Sequence, residues 1–259
     1  MKRVLGRKQT SNNEKWLEVF KHIDELVTKE ELDTAVATAV QKLQKATEGK
    51  NVAFAWSGGK DSIVLSKICE LAGINRSMFA YTDLEYPAFL DWCLQNKPDG
   101  CDTIHIPLDL EWLAKHEDMI FPKGKNLNRW YQIVQRAAFT KYFFDNKLDL
   151  IIVGHRKADG NIVGPDGTLR KGSGEIRYSP LADWSHELVL AFIHYYNIEL
   201  PPIYGWKNGF RCGTHPWPSR MYTGSVENGW KEVYDIDPSI VQKAAKKIES
   251  ASHFLEERG

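Results

Sequence analysis

The stretch VAFAWSGGKDSIVLSKICEL, residues 52–71, carries the strongest structural signal in the chain. Its first part, Val52 to Trp56, is an apolar run of strand length. Its last part repeats apolar residues at helical spacing from Ile63 to Leu71, and Gly73 follows as a helix end. The stretch therefore predicts a buried strand, a glycine turn and a helix in direct succession.

The turn SGGKDS, residues 57–62, has the residue types of an anion cradle. Gly58 and Gly59 let the backbone approach a ligand closely and adopt a positive φ. Amides at the start of a helix point at an anion above them, and the helix dipole adds positive potential. Ser57 and Ser62 supply hydroxyls and Lys60 supplies a cation, so the turn is suited to phosphate or pyrophosphate.

Two common phosphate loops are excluded at this turn. A Walker loop needs G-x-x-x-x-G-K-[ST], whereas Lys60 is followed by Asp61. The dinucleotide fingerprint G-x-G-x-x-G is also absent. A glycine turn without a ligand is the alternative, and the complete hexapeptide between strand and helix favours the cradle.

Strands and helices alternate over the central part of the chain. Further strands are predicted at 78–81, 103–106 and 148–153, and helices at 61–72, 87–94, 129–146 and 185–196. This alternation predicts βαβ units and a parallel sheet. The run 148–153 is apolar throughout, as expected for a strand covered on both faces.

The segments outside this pattern give the predicted domain organisation. Residues 11–49 predict two helices, with Asn13 as the first cap and a capping box from Thr28 to Glu31. This arm either packs on the body or forms a dimer or partner contact. A glycine-rich loop at 154–174, an irregular segment at 205–229 and a closing helix at 240–257 follow. The division predicted is a helical extension at 1–50, a domain built on the cradle at 51–220 and a C-terminal extension at 221–259.

Composition narrows the class of protein. The 259 residues contain 34 Lys plus Arg and 34 Asp plus Glu, and this zero net charge excludes a broad electrostatic field for nucleic acid. The basic start (Lys2, Arg3, Arg7, Lys8) is either a local nucleic-acid contact or, as we expect, a frayed tail. Four cysteines without a C-x-x-C pair, no secretory leader and no long apolar run favour a cytoplasmic protein without a membrane partner.

Residues 57–62 resemble the S-G-G-x-D-S pyrophosphate loop of the PP-loop family of adenine-nucleotide enzymes. Three later segments resemble the branch of 3′-phosphoadenylyl sulfate reductase and the small subunit of sulfate adenylyltransferase: TDLEYP at 82–87, GHRKAD at 154–159 and PLADW at 180–184. The resemblance covers roughly residues 50 to 220. It implies an α/β fold like that of the adenine nucleotide α-hydrolases, with a doubly wound, mostly parallel sheet and the nucleotide at the C-terminal strand ends.

The resemblance also implies roles for individual residues. The loop would hold phosphate or sulfate through Ser57, Gly58, Gly59, Lys60, Asp61 and Ser62. Asp83 would reach the ribose, the adenine or a metal-bound water, with a turn or cap role as the alternative. Arg156 and Arg177 would neutralise phosphate or a leaving group, because a guanidinium binds oxyanions in a fork, and a surface ion pair is the alternative for each. Asp183 is expected to cap the helix that follows it.

Cys212 is the candidate nucleophile. Sulfonucleotide reductases attack sulfur with a thiolate from an E-C-G-x-H sequence near the C-terminus. Here RCGTH, residues 211–215, carries Arg211 in place of Glu and lies well before the last residue of the chain. Arg211 and His215 would lower the pKa of the thiol, and a structural thiol is the alternative. Motifs for an iron–sulfur cluster or a zinc site are absent, so neither is predicted.

Three functions follow as alternatives. An adenylating enzyme would bind ATP with Mg²⁺ and release pyrophosphate after attack at the α-phosphate, using mainly Lys60 and Asp61. A phosphoadenylyl sulfate reductase would use Cys212 and a protein redox partner. A nucleotide-binding module would do no catalysis. The first is favoured because the thiol motif is the part that departs from the family. A sulfur or acceptor protein and a second copy joined through the N-terminal helices are the other partners considered, and nucleic acid is weakly supported.

Overall fold

A computed structural model describes residues 3–6 and 11–258. Arg3 is exposed, whereas Lys2, Arg7 and Lys8 of the basic start lie outside the described residues. The contacts divide the chain into two compact units. The first contains the described residues through Phe79 together with Asn96–Thr103 and Phe139–Pro201. The second contains Ala80–Gln95, Ile104–Ala138 and the described residues from Pro202 onward.

A six-stranded sheet forms the centre of the fold. Its strands are β1 (Val52–Trp56), β2 (Ser77–Thr82), β3 (Asp102–Ile106), β4 (Leu150–Ile152), β5 (Thr168–Arg170) and β6 (Ile176–Tyr178). Their spatial order is β3-β2-β1-β4-β6-β5. Strand β1 pairs in parallel with β2 and β4, β4 pairs in parallel with β6, and β5 runs antiparallel to β6. The predicted mostly parallel α/β sheet is confirmed.

Helices precede, connect and follow the strands. They are α1 (Asn13–Lys21), α2 (Lys29–Thr47), α3 (Lys60–Leu71), α4 (Pro87–Asn96), α5 (Leu110–Ala114), α6 (Lys125–Tyr131), α7 (Ala137–Asp145), α8 (His186–Tyr195), α9 (Gly209–Cys212), α10 (Val226–Ile236), α11 (Pro238–Ala244) and α12 (Glu249–Glu256). A π-helical segment, Gln132–Arg136, joins α6 to α7, so the helix predicted at 129–146 begins earlier and contains a wide turn.

The N-terminal helices pack on α8, which also packs against α3. Much of their apolar stripe is buried within the first unit, including Trp16, Ile23, Val27 and Leu32 at 0% exposure, whereas Phe20 is half-buried. Burying such a side chain stabilises the fold by about 1.5–3 kcal/mol. The apolar stripe of the N-terminal helices therefore packs on α8 of the same chain, which is the first of the two alternatives predicted from the sequence.

The helix caps follow sequence rules, with two corrections. The Thr28–Glu31 capping box and the Ser185 cap of α8 are both present. Asn12, rather than the predicted Asn13, caps α1. Asp183 does not cap α8, since its carboxylate pairs with Lys157 at 2.7 Å. Ser185 directly precedes the first helical residue in extended conformation, so its hydroxyl, and not the earlier carboxylate, reaches the helix amides.

The segment predicted as a loop at 154–174 contains a strand. Strand β5 lies within it and forms a hairpin with β6, closed by Gly174 at φ 91°. Each of the two strands has three residues, which is too short for an alternating pattern to stand out in the sequence.

The C-terminal region is more helical than predicted. The single helix predicted at 240–257 is divided into α11 and α12. Helix α10 begins within the segment predicted to be irregular. The sequence did not predict this helix because Asn228 and Gly229 have low intrinsic helix propensity. A Cβ at Gly229 would lie 2.3 Å from the Phe121 ring, so close packing explains this glycine.

Candidate nucleotide-binding site

The loop Ser57–Ser62 joins β1 directly to α3. Gly58 adopts φ 67°, whereas Gly59 is extended at φ −80° and precedes the helix, so only one of the two glycines needs the left-handed region. The Ser57 amide donates to Ser62 Oγ at 3.0 Å, and Ser62 Oγ donates to the Gly59 carbonyl at 2.9 Å. Among the described residues no side chain caps α3. The loop thus lies at a helix N-terminus, with Gly58, Gly59, Lys60 and Ser62 buried and Ser57 and Asp61 partly exposed in this conformation.

Gly154 brings the end of β4 against this loop. A Cβ at Gly154 would lie 3.2 Å from the Asp61 carbonyl oxygen, which is tighter than an ordinary contact. The glycine that begins the GHRKAD segment therefore allows that segment to pass close to the first turn of α3.

The Lys60 side chain does not point into solvent. It is 2% exposed, its Nζ lies 2.6 Å from Asp61 Oδ2, and it stands 5.6 Å from the centre of the Trp16 ring. The cation that the sequence assigned to the anion cradle is therefore buried in this conformation. Asp61 and the indole of the N-terminal arm hold the ammonium.

Asp61 receives two cations. Its second oxygen, Oδ1, accepts from Arg156 Nε at 2.8 Å, and Arg156 is completely buried. The guanidinium also donates to the Trp184 carbonyl at 3.2 Å and pairs with Asp159 at 2.7 Å. The structure thus brings the predicted residues Lys60, Asp61 and Arg156 together in one buried cluster.

His186 completes this cluster. Its Nδ1 lies 3.2 Å from Arg156 Nη2, and its ring packs edge-on against Trp16. Burial, and then the charge of Arg156, lowers the pKa of His186 to about 4, so the neutral imidazole accepts from the guanidinium at neutral pH. Sequence reasoning did not assign His186, Asp159 or Trp16. Only Asp159 had a signal, because it follows Arg156 by three residues in the same family-like segment.

Arg177 lies in a different ion pair. It is 2% exposed, it pairs with Glu175, and its guanidinium carbon lies 5.3 Å from the centre of the Phe139 ring. Glu175 also accepts a hydrogen bond from Thr140. The structure does not place Arg177 in the Asp61 cluster, and its role toward phosphate stays a prediction.

Asp83 and Cys212 belong to the second unit. The exposed Asp83 carboxylate lies 2.9 Å from His105 Nε2. Cys212 is 3% exposed, and its thiol donates to the Met221 carbonyl at 3.5 Å. The Arg211 guanidinium lies over the Tyr222 ring at 4.2 Å. The thiol is thus buried and hydrogen-bonded, and a nucleophilic role for it stays a prediction.

The residues described do not fit a magnesium site at the loop. Across residues 3–6 and 11–258, no three His, Cys, Asp or Glu side chains are grouped so as to hold a metal ion. Both oxygens of Asp61 already face cations. No step proposed below is therefore routed through Mg²⁺.

In the same described residues, every helix is too short or too polar to span a bilayer.

Comparison with known families agrees with this fold. The family model described as "Phosphoadenosine phosphosulfate reductase domain" matches residues 51–212, which is more than half of the chain. The chain belongs to this family, within the PP-loop adenine-nucleotide α-hydrolase superfamily. A search of curated proteins found no match.

Solved structures of similar fold come from enzymes. The phosphoadenylyl-sulfate reductase of Candida auris, in a phosphate complex, has a TM-score of 0.50 at 16% identity, with 70% of this chain and 94% of that chain covered. The NMN synthetase of Francisella tularensis has a TM-score of 0.47 at 16% identity, with 87% and 93% covered. The NH3-dependent NAD synthetase of Campylobacter jejuni has 0.45 at 13%, with 86% and 96% covered. At such identity the first likeness shows the fold alone, and the other two carry no further argument.

Proposed function

We propose that the chain binds an adenine nucleotide at Ser57–Ser62 and acts at its α-phosphate, as an ATP pyrophosphatase or adenylyl transferase. The observation that carries this proposal is the loop itself. Gly58 turns the backbone with φ 67°, the Ser62 hydroxyl ties the loop together, and α3 begins without a side-chain cap directly after β1. Backbone amides in this arrangement favour phosphate oxygens.

The chemistry needs no covalent intermediate. An acceptor attacks the α-phosphorus, the bond to the bridging oxygen breaks, and pyrophosphate leaves with the electron pair. Amides at the loop and the dipole of α3 stabilise the charge on the leaving pyrophosphate. Removing one such donor typically lowers kcat by about 10²–10³. Asp61 acts here as a positioning residue, because it fixes Lys60 and links the first turn of α3 to Arg156.

Calorimetry and pyrophosphate release test this proposal. ATP, AMP and adenosine 3′,5′-bisphosphate are titrated into the full chain, and ATP is expected to bind. Pyrophosphate release is expected to fall at least tenfold in Asp61→Ala. Asp145→Ala is the matched control, because Asp145 is an exposed carboxylate paired with Lys141 on α7. Absence of ATP binding, or full activity in Asp61→Ala, would overturn the proposal.

Sulfonucleotide reduction is the second candidate, supported by the family match that reaches residue 212. The Cys212 thiolate would attack the sulfur of phosphoadenylyl sulfate, and adenosine 3′,5′-bisphosphate would leave with the bonding pair. A dithiol redox partner would then release sulfite. Sulfite release is measured with Cys212→Ser and with Cys93→Ser, a buried cysteine outside the RCGTH segment, as control. An unimpaired Cys212→Ser variant removes the assigned nucleophile.

A third outcome is a module that binds without catalysis. Nucleotide binding with neither pyrophosphate nor sulfite release would favour it over both reactions.

A further inference from the structure

A cleft lies in the first unit. Its volume is about 670 Å³, and its walls are the C-terminal half of α2 and the β5–β6 hairpin. Small-molecule sites in proteins typically have volumes of about 300–1,000 Å³. The lining includes no residue of the loop 57–62. The cleft is therefore a separate candidate site of suitable size.

The position of the cleft in the sheet supports this separation. Lys50 and Asp149 line it, and they lie just before β1 and β4. Parallel strands begin at one edge of a sheet and end at the other. The loop at Ser57 follows the end of β1, so this part of the cleft lies at the opposite edge. The other end of the cleft, lined by residues 179–183, follows the end of the parallel strand β6 and lies at the same edge as the loop.

The cleft carries an excess of uncompensated cations. Its four cationic side chains are Lys42, Lys45, Lys50 and Arg170. Lys42 and Lys45 are three residues apart on α2, so they lie on one side of the helix. Within the described part of the chain, no ion pair joins Lys42 or Lys45 to a carboxylate, and Lys50 donates to the Ala46 carbonyl. Arg170 interacts with Asp166: the Thr168 amide and, to a lesser extent, the charge of Arg170 hold the pKa of that carboxyl below its usual value.

The carboxylates in the lining already have donors of their own. Asp149 accepts from the Asn51 amide at 2.8 Å, and Asp166 accepts from the Thr168 amide at 2.9 Å. Asp183 is paired with Lys157. Amide donors leave the negative charges of Asp149 and Asp166 in place, so the lining has one more cation than it has carboxylates. Among the described residues, Lys42, Lys45 and Lys50 are the cations of the lining without a carboxylate partner, and they are left for a ligand.

Helix stability does not explain this arrangement. A lysine in the last turn of a helix interacts favourably with the helix dipole, by about 0.3–1 kcal/mol, and this interaction explains the position of Lys45. It does not cover Lys42, which lies more than a turn before the end of α2. It does not cover Arg170 either, which projects from the edge strand β5.

We propose that this cleft binds a small molecule that carries two or more phosphate or sulfate groups. Lys42 and Lys45 of α2, Lys50 before β1 and Arg170 of β5 would contact such a ligand, and separated oxyanions would engage both walls. A nucleic-acid strand fits less well, because the aromatic side chain of the lining, Tyr178, is only 5% exposed and offers no face for a base.

Lysine footprinting on the full chain tests the proposal, with inorganic triphosphate as the probe. Acetylation of Lys42, Lys45 and Lys50 is followed by mass spectrometry as triphosphate is added. We expect at least threefold saturable protection of these lysines. Lys15 and Lys21, exposed on α1, should acetylate at an unchanged rate. Equal protection of all five lysines, or protection of none, would overturn the proposal.

Paired variants sharpen the test. Lys42→Gln with Lys45→Gln should raise the triphosphate concentration that protects Lys50 at least tenfold, whereas Lys15→Gln with Lys21→Gln should not change it. Stronger protection by a 20-nucleotide oligothymidylate than by triphosphate would replace the small molecule with a nucleic acid. Because the readout is at Lys50, the result does not depend on whether ATP binds the loop.

Discussion

At the scale of single residues, Arg156 connects two segments that lie far apart in the sequence. Its guanidinium is completely buried, which is costly unless its donors are satisfied. Asp61, Asp159 and the Trp184 carbonyl satisfy them, and the neutral His186 ring accepts from the same group. The cluster thereby fixes the first turn of α3, on which the proposed phosphate contacts depend.

Arg156→Met should be strongly destabilising. It removes the buried cation that pairs with Asp159 and with Oδ1 of Asp61, and breaking a buried pair in this way costs about 3–5 kcal/mol. Urea denaturation measures the loss. Arg170→Met is the control, since that exposed side chain should change the free energy of unfolding by no more than about 0.5 kcal/mol. Similar small losses in both variants would contradict the account of the cluster.

His186 should make stability fall in acid. Its pKa is lowered from 6.5 to about 4 in the folded chain, so between these values the unfolded chain binds more protons. The neutral ring's contribution to the free energy of unfolding is complete above pH 6.5. It falls by on the order of 3 kcal/mol as the pH falls toward 4. Urea denaturation of His186→Gln from pH 4.5 to 7 should show a shallower slope than wild type. An identical slope would contradict the assignment.

Glu85 should act in the opposite direction. Burial raises its pKa from 4.5 to about 8, while the Thr82 amide and hydroxyl donate to Oε1. The folded chain therefore keeps the proton to a higher pH than the unfolded chain does. The contribution of the protonated carboxyl to the free energy of unfolding is complete below pH 4.5 and is lost as the pH rises from 4.5 to 8. Glu85→Gln keeps an acceptor for Thr82. It should match wild type at pH 5 and exceed it by a few kcal/mol at pH 8 in thermal or urea denaturation. Equal stability at both pH values would show that Glu85 is ionised in the fold.

At the scale of elements, sequence patterns predicted the strands and helices whose signals lie within one short segment and repeat along it. Strand β1, helix α3 and the capping box of α2 were all predicted, because period, turn residues and caps agree there. The β5–β6 hairpin was missed because its strands are short. The ion pair of Arg177 with Glu175 could also have been predicted, because the two residues lie two apart, on the same side of an extended segment.

Gly229→Ala should destabilise the second unit although alanine favours helices. The added Cβ would lie 2.3 Å from the Phe121 ring, and overpacking of this kind costs about 1–3 kcal/mol. Gly205→Ala is the matched control, because nothing lies within 4 Å of a Cβ there. The midpoint of thermal unfolding should fall for the first variant and stay nearly unchanged for the second. A higher midpoint for Gly229→Ala would mean that helix propensity outweighs the clash.

At the scale of the whole molecule, family motifs predicted the sheet and the loop but not the charge partners. Trp16 lies over forty residues before Lys60, and no local pattern links them, yet the indole helps to bury the ammonium. The burial of Lys60 therefore depends on the N-terminal helices as well as on the loop. Contacts of this range depend on the packing of α1 against α8, which periodicity alone does not predict.

The central claim is that the loop Ser57–Ser62 binds the oxyanions of an adenine nucleotide. A crystal structure of the full chain with a non-hydrolysable ATP analogue tests it most directly. We expect phosphate oxygens within hydrogen-bond distance of the amides at the start of α3 and of the Ser57 or Ser62 hydroxyl. Well-ordered analogue bound elsewhere, with the loop empty, would contradict the claim.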